Sequence, residues 1–234
     1  MKINANSLKQ ALTVILSQRI TDVTIECKEH GWLMKAMDPS HVAFVKAELK
    51  ESCFEDYAEL DNFTVDPEKF AKAIKYLGGS IEFSLDGGMI TMSGNGITSR
   101  LSLLAPVEAE SRVREMEFPA TAIIDSTRFK QILKVLSDMS SLNIEITEEG
   151  LAVDGYKEDG TGSKLELDAD GCVALAGQGR AEYPMSILSA LNTIMPDKVE
   201  LEISMGDSFP CRFQYTAEGT ECALMCAPWI EEGN

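Results

Sequence analysis

The sequence predicts a duplicated α+β chain: two tandem domains of similar plan, each strand-rich and each carrying two helices. Three observations predict it. Residues 23–32, VTIECKEHGW, have a counterpart in residues 142–151, LNIEITEEGL. Each passage follows an amphipathic stretch with a Lys-Gln pair, Lys9-Gln10 and Lys130-Gln131. Each half also closes on a strand ending in Ala-Pro, at Ala105-Pro106 and Ala227-Pro228. The repeat, of roughly 120 residues, is far longer than solenoid or propeller periods. The expected division is 1–104, a connector at 105–119, and 120–234.

Residues 8–18 read as a helix, with Leu8, Ala11, Leu12, Ile15 and Leu16 on one face and Ser7 as N-cap. Strands are expected at 23–28, 32–37, 42–49 and 63–65, with a hairpin turn at Gly31. Asp66-Pro67 opens a second helix, which buries Phe70, Ile74 and Leu77 and stops at Gly78-Gly79. Strands at 81–85, 89–93 and 97–104 follow, separated by Asp86-Gly87-Gly88 and Gly94-Asn95-Gly96. Residues 105–119 lack periodicity, and Met116 and Phe118 are apolar positions in a polar connector.

The second half repeats this order. A helix at 127–139 turns Phe129, Ile132, Leu133 and Leu136 inward. Strands are expected at 142–147, 151–155, 164–167 and 171–176. A fourth helix, 184–195, buries Ile187, Leu188, Leu191 and Ile194. Strands at 199–204, 211–215 and 221–226 close the chain.

Composition excludes several classes. The 44% hydrophobic content supports packed cores. No apolar run approaches the ~20 residues needed to span a bilayer, and residues 1–7 lack a signal-peptide pattern, so a cytoplasmic location is expected. Six cysteines are present without Cys-x-x-Cys, and His30 and His41 are the only histidines. Structural, reduced cysteines are expected, with no metal and no cofactor. No nucleophile elbow or phosphate-binding Gly-Lys-Ser/Thr loop occurs, so no enzyme is expected. Asp154-Gly155 and Glu158-Asp159-Gly160 lack calcium-loop spacing and read as turns.

The net charge of −17 argues against tight phosphate binding, yet the basic residues gather on helices. Lys69, Lys72 and Lys75 share a face of the second helix. Arg128, Lys130 and Lys134 lie on the third, and Lys9 on the first. The fourth is neutral, with Ser186, Ser189, Asn192 and Thr193. Solvated helix faces would explain any one of these.

The segment Met37-Asp38-Pro39-Ser40-His41-Val42-Ala43-Phe44-Val45 resembles the Met-Asp-Ser-Ser-His-Val segment of PCNA-type sliding clamps. Cys53-Phe54-Glu55-Asp56-Tyr57 and the closing Leu224-Met225-Cys226-Ala227-Pro228-Trp229-Ile230-Glu231-Glu232 extend the resemblance over essentially the whole chain. The passage Glu117-Phe118-Pro119-Ala120-Thr121-Ala122 looks archaeal rather than eukaryotic.

The resemblance implies a homotrimeric ring closed head to tail around double-stranded DNA, with helices inside and sheets outside. It implies a DNA polymerase processivity factor at the nucleoid. Lys72, Lys75, Lys134 and, approximately, Lys9 match basic positions of the family's inner helices; Lys69, Arg128 and Lys130 join them by helical spacing. Partner proteins (DNA polymerase, clamp loader, flap nuclease, ligase) are expected to bind by short peptides. The matching positions are Met37, His41, Val42, Met116, Phe118, Pro210, Met225, Ala227 and Pro228. The implied subunit interface joins Ile97, Arg100, Leu101 and Leu103 of one chain to Lys164, Leu165 and Leu167 of the next. Trp229 is an exposed-looking aromatic beside the implied peptide site. Two other readings stay open: a subunit of a heterotrimeric or checkpoint clamp, and a monomeric β-rich binding module.

Overall fold

The computed structural model describes residues 1–58, 60–106, 116–157 and 159–229. Glu158, most of the expected connector (including Arg112 and Arg114) and the acidic tail from Ile230 lie outside them. The chain divides into two compact units, 1–113 with 216–223, and 114–215 with 224–234. The tip of the last hairpin therefore groups with the first unit, although its sequence position suggests the second.

In the first unit, β1 (Lys2–Asn4) leads directly into α1 (Ala5–Leu16). The hairpin β2 (Val23–Lys28) and β3 (Gly31–Met37) continues into β4 (Ala43–Lys50) and the short β5 (Phe54–Asp56). Then come β6 (Phe63–Val65), α2 (Pro67–Ile74), β7 (Ser80–Asp86), β8 (Met89–Gly94) and β9 (Ile97–Ser102). Two ladders result, β4-β3-β2-β6 and β5-β1-β7-β8-β9.

The second unit repeats the plan. It runs β10 (Ala120–Asp125), α3 (Ser126–Val135), β11 (Ser141–Thr147), β12 (Gly150–Tyr156), β13 (Gly162–Asp168), β14 (Ala174–Ala176) and β15 (Gly179–Pro184). It continues through α4 (Met185–Leu188), α5 (Leu191–Ile194), β16 (Glu200–Met205) and β17 (Cys211–Ala217). The ladders are β13-β12-β11-β15 and β14-β10-β16-β17, with β18 (Thr220–Cys226) following β17. The order matches the first unit strand for strand.

The duplication reaches single residues. Gly31 and Gly150 open equivalent strands with φ of 141° and 158°. A Cβ on either would fall 2.0 or 2.1 Å from a neighbouring carbonyl oxygen, Leu49 O or Leu167 O, so only glycine fits.

Aromatic packing centres the first core. Trp32 is fully buried and meets Phe54, Phe63 and Phe83 edge-on, with centroids 5.4–5.6 Å apart. Its indole Nε1–H has no hydrogen-bond partner among the described residues. In the second unit Phe129 packs on Phe213 at 5.5 Å, and Tyr215 donates to Ile194 O at 2.7 Å.

Four sequence expectations need correction. The N-cap of α1 is Asn4, which accepts from Asn6 N–H and Ser7 N–H; Ser7 is buried in the first turn and its hydroxyl donates to Glu218 O. The short strand β1 delivers the chain into the helix three residues earlier than the apolar stripe suggests. The second helix ends at Ile74, ahead of Gly78, because Lys75 and Leu77 bond back in three-residue turns to Lys72 O and Ile74 O. The 171–176 strand is a 3-10 turn, Ala169–Gly171, followed by the three residues of β14, because Asp168 caps Gly171 N–H at 2.9 Å. The fourth helix is two short pieces, α4 and α5, which meet at Ser189-Ala190.

Candidate functional site

The basic helix residues fall into two groups, one in each unit. In the first, α1 and α2 pack together and leave a shallow groove of about 210 Å³ between them. Lys9 and Lys75 stand at its rims over an apolar floor of Leu12, Leu16, Ala71 and Ile74. Lys9 Nζ donates to Leu77 O at 3.1 Å, and Lys75 Nζ lies 5.5 Å from the Tyr76 ring centre. Neither has an ion pair among the described residues. Lys69 pairs with Asp66 at 3.1 Å and Lys72 with Glu68 at 3.3 Å, both exposed bridges of small energy.

In the second unit Lys134 is exposed and has no ion pair among the described residues. Arg128 is exposed and donates to Gly171 O at 3.1 Å. Lys130 behaves differently: its ammonium bonds Asp197 at 2.6 Å and Met195 O at 3.0 Å. It clips α3 to the segment after α5, and its charge is spent within its own domain.

The expected partner-site residues also divide between the units. In the first, Met37 and Val42 are half-buried and flank a turn built on Asp38, while His41 is exposed with φ 59°. Asp38 accepts from Ser40 N–H at 3.0 Å, Val42 N–H at 2.7 Å, Ala43 N–H at 2.6 Å and the Ser40 hydroxyl. Burial pushes its pKa up, but these hydrogen bonds outweigh burial and hold it below the usual aspartate value. Asp38 is a functional candidate that periodicity misses; an Asp-Pro-Ser sequence is itself a turn signal.

In the second unit Phe118 is half-buried with the Arg212 guanidinium 4.9 Å from its ring centre. Arg212 also pairs with Glu202 at 2.8 Å. Met116, Pro210, Met225, Ala227 and Pro228 are half-buried too. Trp229 is 58% exposed, and its N–H donates to Glu182 O at 2.6 Å, which fixes the backbone beneath an exposed indole. Arg212 escaped sequence reading because nothing local links it to Phe118.

Among the described residues both expected interface strands are sheet edges: β9 borders only β8, and β13 borders only β12. Ile97 is 46% exposed, Arg100 and Lys164 are exposed, and Leu101, Leu103, Leu165 and Leu167 are half-buried. No helix among the described residues is long and apolar enough to cross a membrane. No described His, Cys, Asp and Glu side chains group to hold a metal ion.

Twin units of one strand order, with basic residues on their helices, define a duplicated clamp fold. Residues 1–120 match the family described as proliferating cell nuclear antigen, N-terminal domain, and the chain belongs to that family. The DNA polymerase sliding clamp of Methanococcus maripaludis is 27% identical, over 97% of each chain. The solved A. fulgidus PCNA bound to the C-terminal region of FEN-1 superposes with a TM-score of 0.92 at 18% identity, covering 99% of this chain and 98% of that one. A Sulfolobus tokodaii PCNA2–PCNA3 complex gives a TM-score of 0.84 at 20% identity, covering 99% of this chain and all of that one.

Proposed function

We propose that the chain is a DNA polymerase processivity clamp: three copies closed around duplex DNA, catalysing no reaction and tethering enzymes that do. The observation that carries this reading is the placement of charge. A chain of net charge −17 sets Lys9, Lys72 and Lys134 on its helices and Lys75 at the C-cap of α2. Encirclement holds DNA topologically, so a few phosphate contacts are enough to centre the duplex, and they carry no sequence information. Acidic surfaces elsewhere repel DNA and favour the helix-lined side. Lys130, bound to Asp197, is left out of this set; Lys69 and Arg128 flank it.

Partner enzymes would bind through short peptides whose apolar anchors meet Met116, Phe118, Pro210, Met225, Ala227 and Pro228, with Met37, His41 and Val42. A flap nuclease is the first candidate partner, since the A. fulgidus relative carries a FEN-1 segment. The working place would be the cytoplasm, at the nucleoid.

The test is native mass by light scattering, followed by polymerase extension on primed circular DNA. A mass of three chains with processive extension supports the reading. A single-chain mass at every concentration defeats the homotrimer. The likeness to the PCNA2–PCNA3 complex supports one second reading, a subunit of a mixed ring. That reading predicts assembly only after other subunits are added.

A further inference from the structure

The two units treat equivalent strands differently. In the first, β4 is flanked by residues 220–223 of β18, and Glu221 there bonds Lys46 at 3.4 Å and Lys50 at 3.1 Å. In the second, β13 holds the place of β4 in the ladder, but among the described residues its side away from β12 has no strand. The repeat makes β9 the equivalent of β18, and β9 is likewise an uncovered edge among the described residues.

The charge is inverted at the uncovered pair. The outer face of β13 borders a groove of about 380 Å³, floored by Gly150 and Ala152. Ala152 lies between Glu145 and Glu166 in the ladder, so a short side chain leaves a trench between two carboxylates. Asp168 and Glu149 line it as well, and its one cation, Lys164, pairs with Glu166 at 2.5 Å. Strand β9 (ITSRLS) carries no carboxylate; its one charge, Arg100, is exposed and has no ion pair among the described residues. The burial alternation puts Arg100 on the outer face of β9, as it puts Lys164 and Glu166 on that of β13, while Leu101, Leu165 and Leu167 turn inward. If β9 adds to β13, Arg100 and the trench share a face.

We propose that the occupant of this trench is Arg100 of a second copy of this chain, reaching Glu166 as the β9 edge of that copy extends the β13 edge. The proposal rests on the ring reading and adds its electrostatic key. The covered edge presents lysines to a glutamate; the free edge presents carboxylates to an arginine. The opposite polarity also discriminates in one direction: β18 on β13 would set Glu221 against the carboxylate trench, whereas on β4 Glu48 stands between Lys46 and Lys50 and pairs with Lys46 at 2.7 Å, leaving that edge of mixed charge. A β18 edge misjoined to β13 therefore meets like charges, which penalises that exchange.

The experiment follows native mass on dilution, by light scattering at low salt, for wild type, Arg100→Glu, Glu166→Arg and the double variant. Arg100→Glu is expected to raise the concentration at which the assembly dissociates about tenfold. The double variant, with its charges swapped, is expected to recover most of that loss. Both residues are exposed on edge strands, so the fold tolerates these changes. An assembled wild type with an unshifted Arg100→Glu variant overturns the key and leaves the ring standing. A shift that the swap does not recover overturns the pairing of Arg100 with Glu166. A wild type that is a single chain at every concentration removes the ring and the key together.

Discussion

The Asp38 carboxylate accepts from three backbone amides and a hydroxyl, so it replaces a turn's worth of missing backbone partners between β3 and β4. That turn sets the positions of Met37, His41 and Val42. Asp38→Ala strands the amides of Val42 and Ala43 and should cost about 2 kcal/mol, read by urea unfolding. Peptide affinity should fall with it if those side chains touch a partner. Asp66 and Asp125 share the acid behaviour of Asp38: each folded pKa lies below its ordinary value. Amide bonds from the following helix turn are the main cause for Asp66, and the Thr127 hydroxyl and amide for Asp125. A depressed carboxylate stabilises the fold above its unfolded pKa of about 3.9 and loses that contribution as pH falls through the folded value. Stability at these three sites should be level from about pH 5 upward and decline below about pH 4. A stability profile that declines instead between neutral pH and 5 would point to other groups.

Each helix segment at the four repeat positions starts where a strand ends, and the cap torsions are nearly the same. Asn4, Asp66, Asp125 and Pro184 have φ between −65° and −73° and ψ between 113° and 128°. The first three accept amide hydrogen bonds from the helix they open. Pro184 has no side chain able to do so, and there the helix is broken into two four-residue pieces. Asp125→Ala should therefore cost about 1 kcal/mol, seen as reduced amide protection in the first turn of α3. Apolar spacing and Asp66-Pro67 made α2 and α3 legible in the sequence, as the EHGW and EEGL passages did their hairpins. The three residues of β1 and of β5 carry too little pattern to read, since their pairing with β7 and with each other comes from distant chain. Lys130 looked like a member of the basic face because its partner, Asp197, lies 67 residues away. Ionic partners set by the tertiary fold leave no periodicity behind, whereas caps and stripes are local and do.

For the whole molecule, topology and electrostatics make separable demands. A protein held on DNA by phosphate contacts alone loses affinity steeply with salt, because each neutralised phosphate releases a counterion. A closed ring on circular DNA has no such route off; only opening of the ring releases it. The proposed clamp should therefore load in a salt-dependent way yet, once loaded, persist on circular DNA through a salt wash that removes it from linear DNA by sliding off the ends. Reversing Lys72, Lys75 and Lys134 to Glu separates the two demands, since none of the three is on the edge strands β9 and β13. Lys72 and Lys75 belong to the first unit and Lys134 to the second, so the change reaches both. Each reversal replaces an attraction to phosphate with a repulsion. Together they should lower loading and polymerase stimulation about tenfold or more at ~0.1 M salt, with a larger deficit in dilute salt, where screening is weakest. The native mass should stay that of wild type, and the few rings that do load should still resist the wash on circular DNA. Unchanged loading in the triple variant would remove these lysines from the DNA-facing side. Loss of persistence with loading intact would show that contact rather than encirclement holds the protein on DNA.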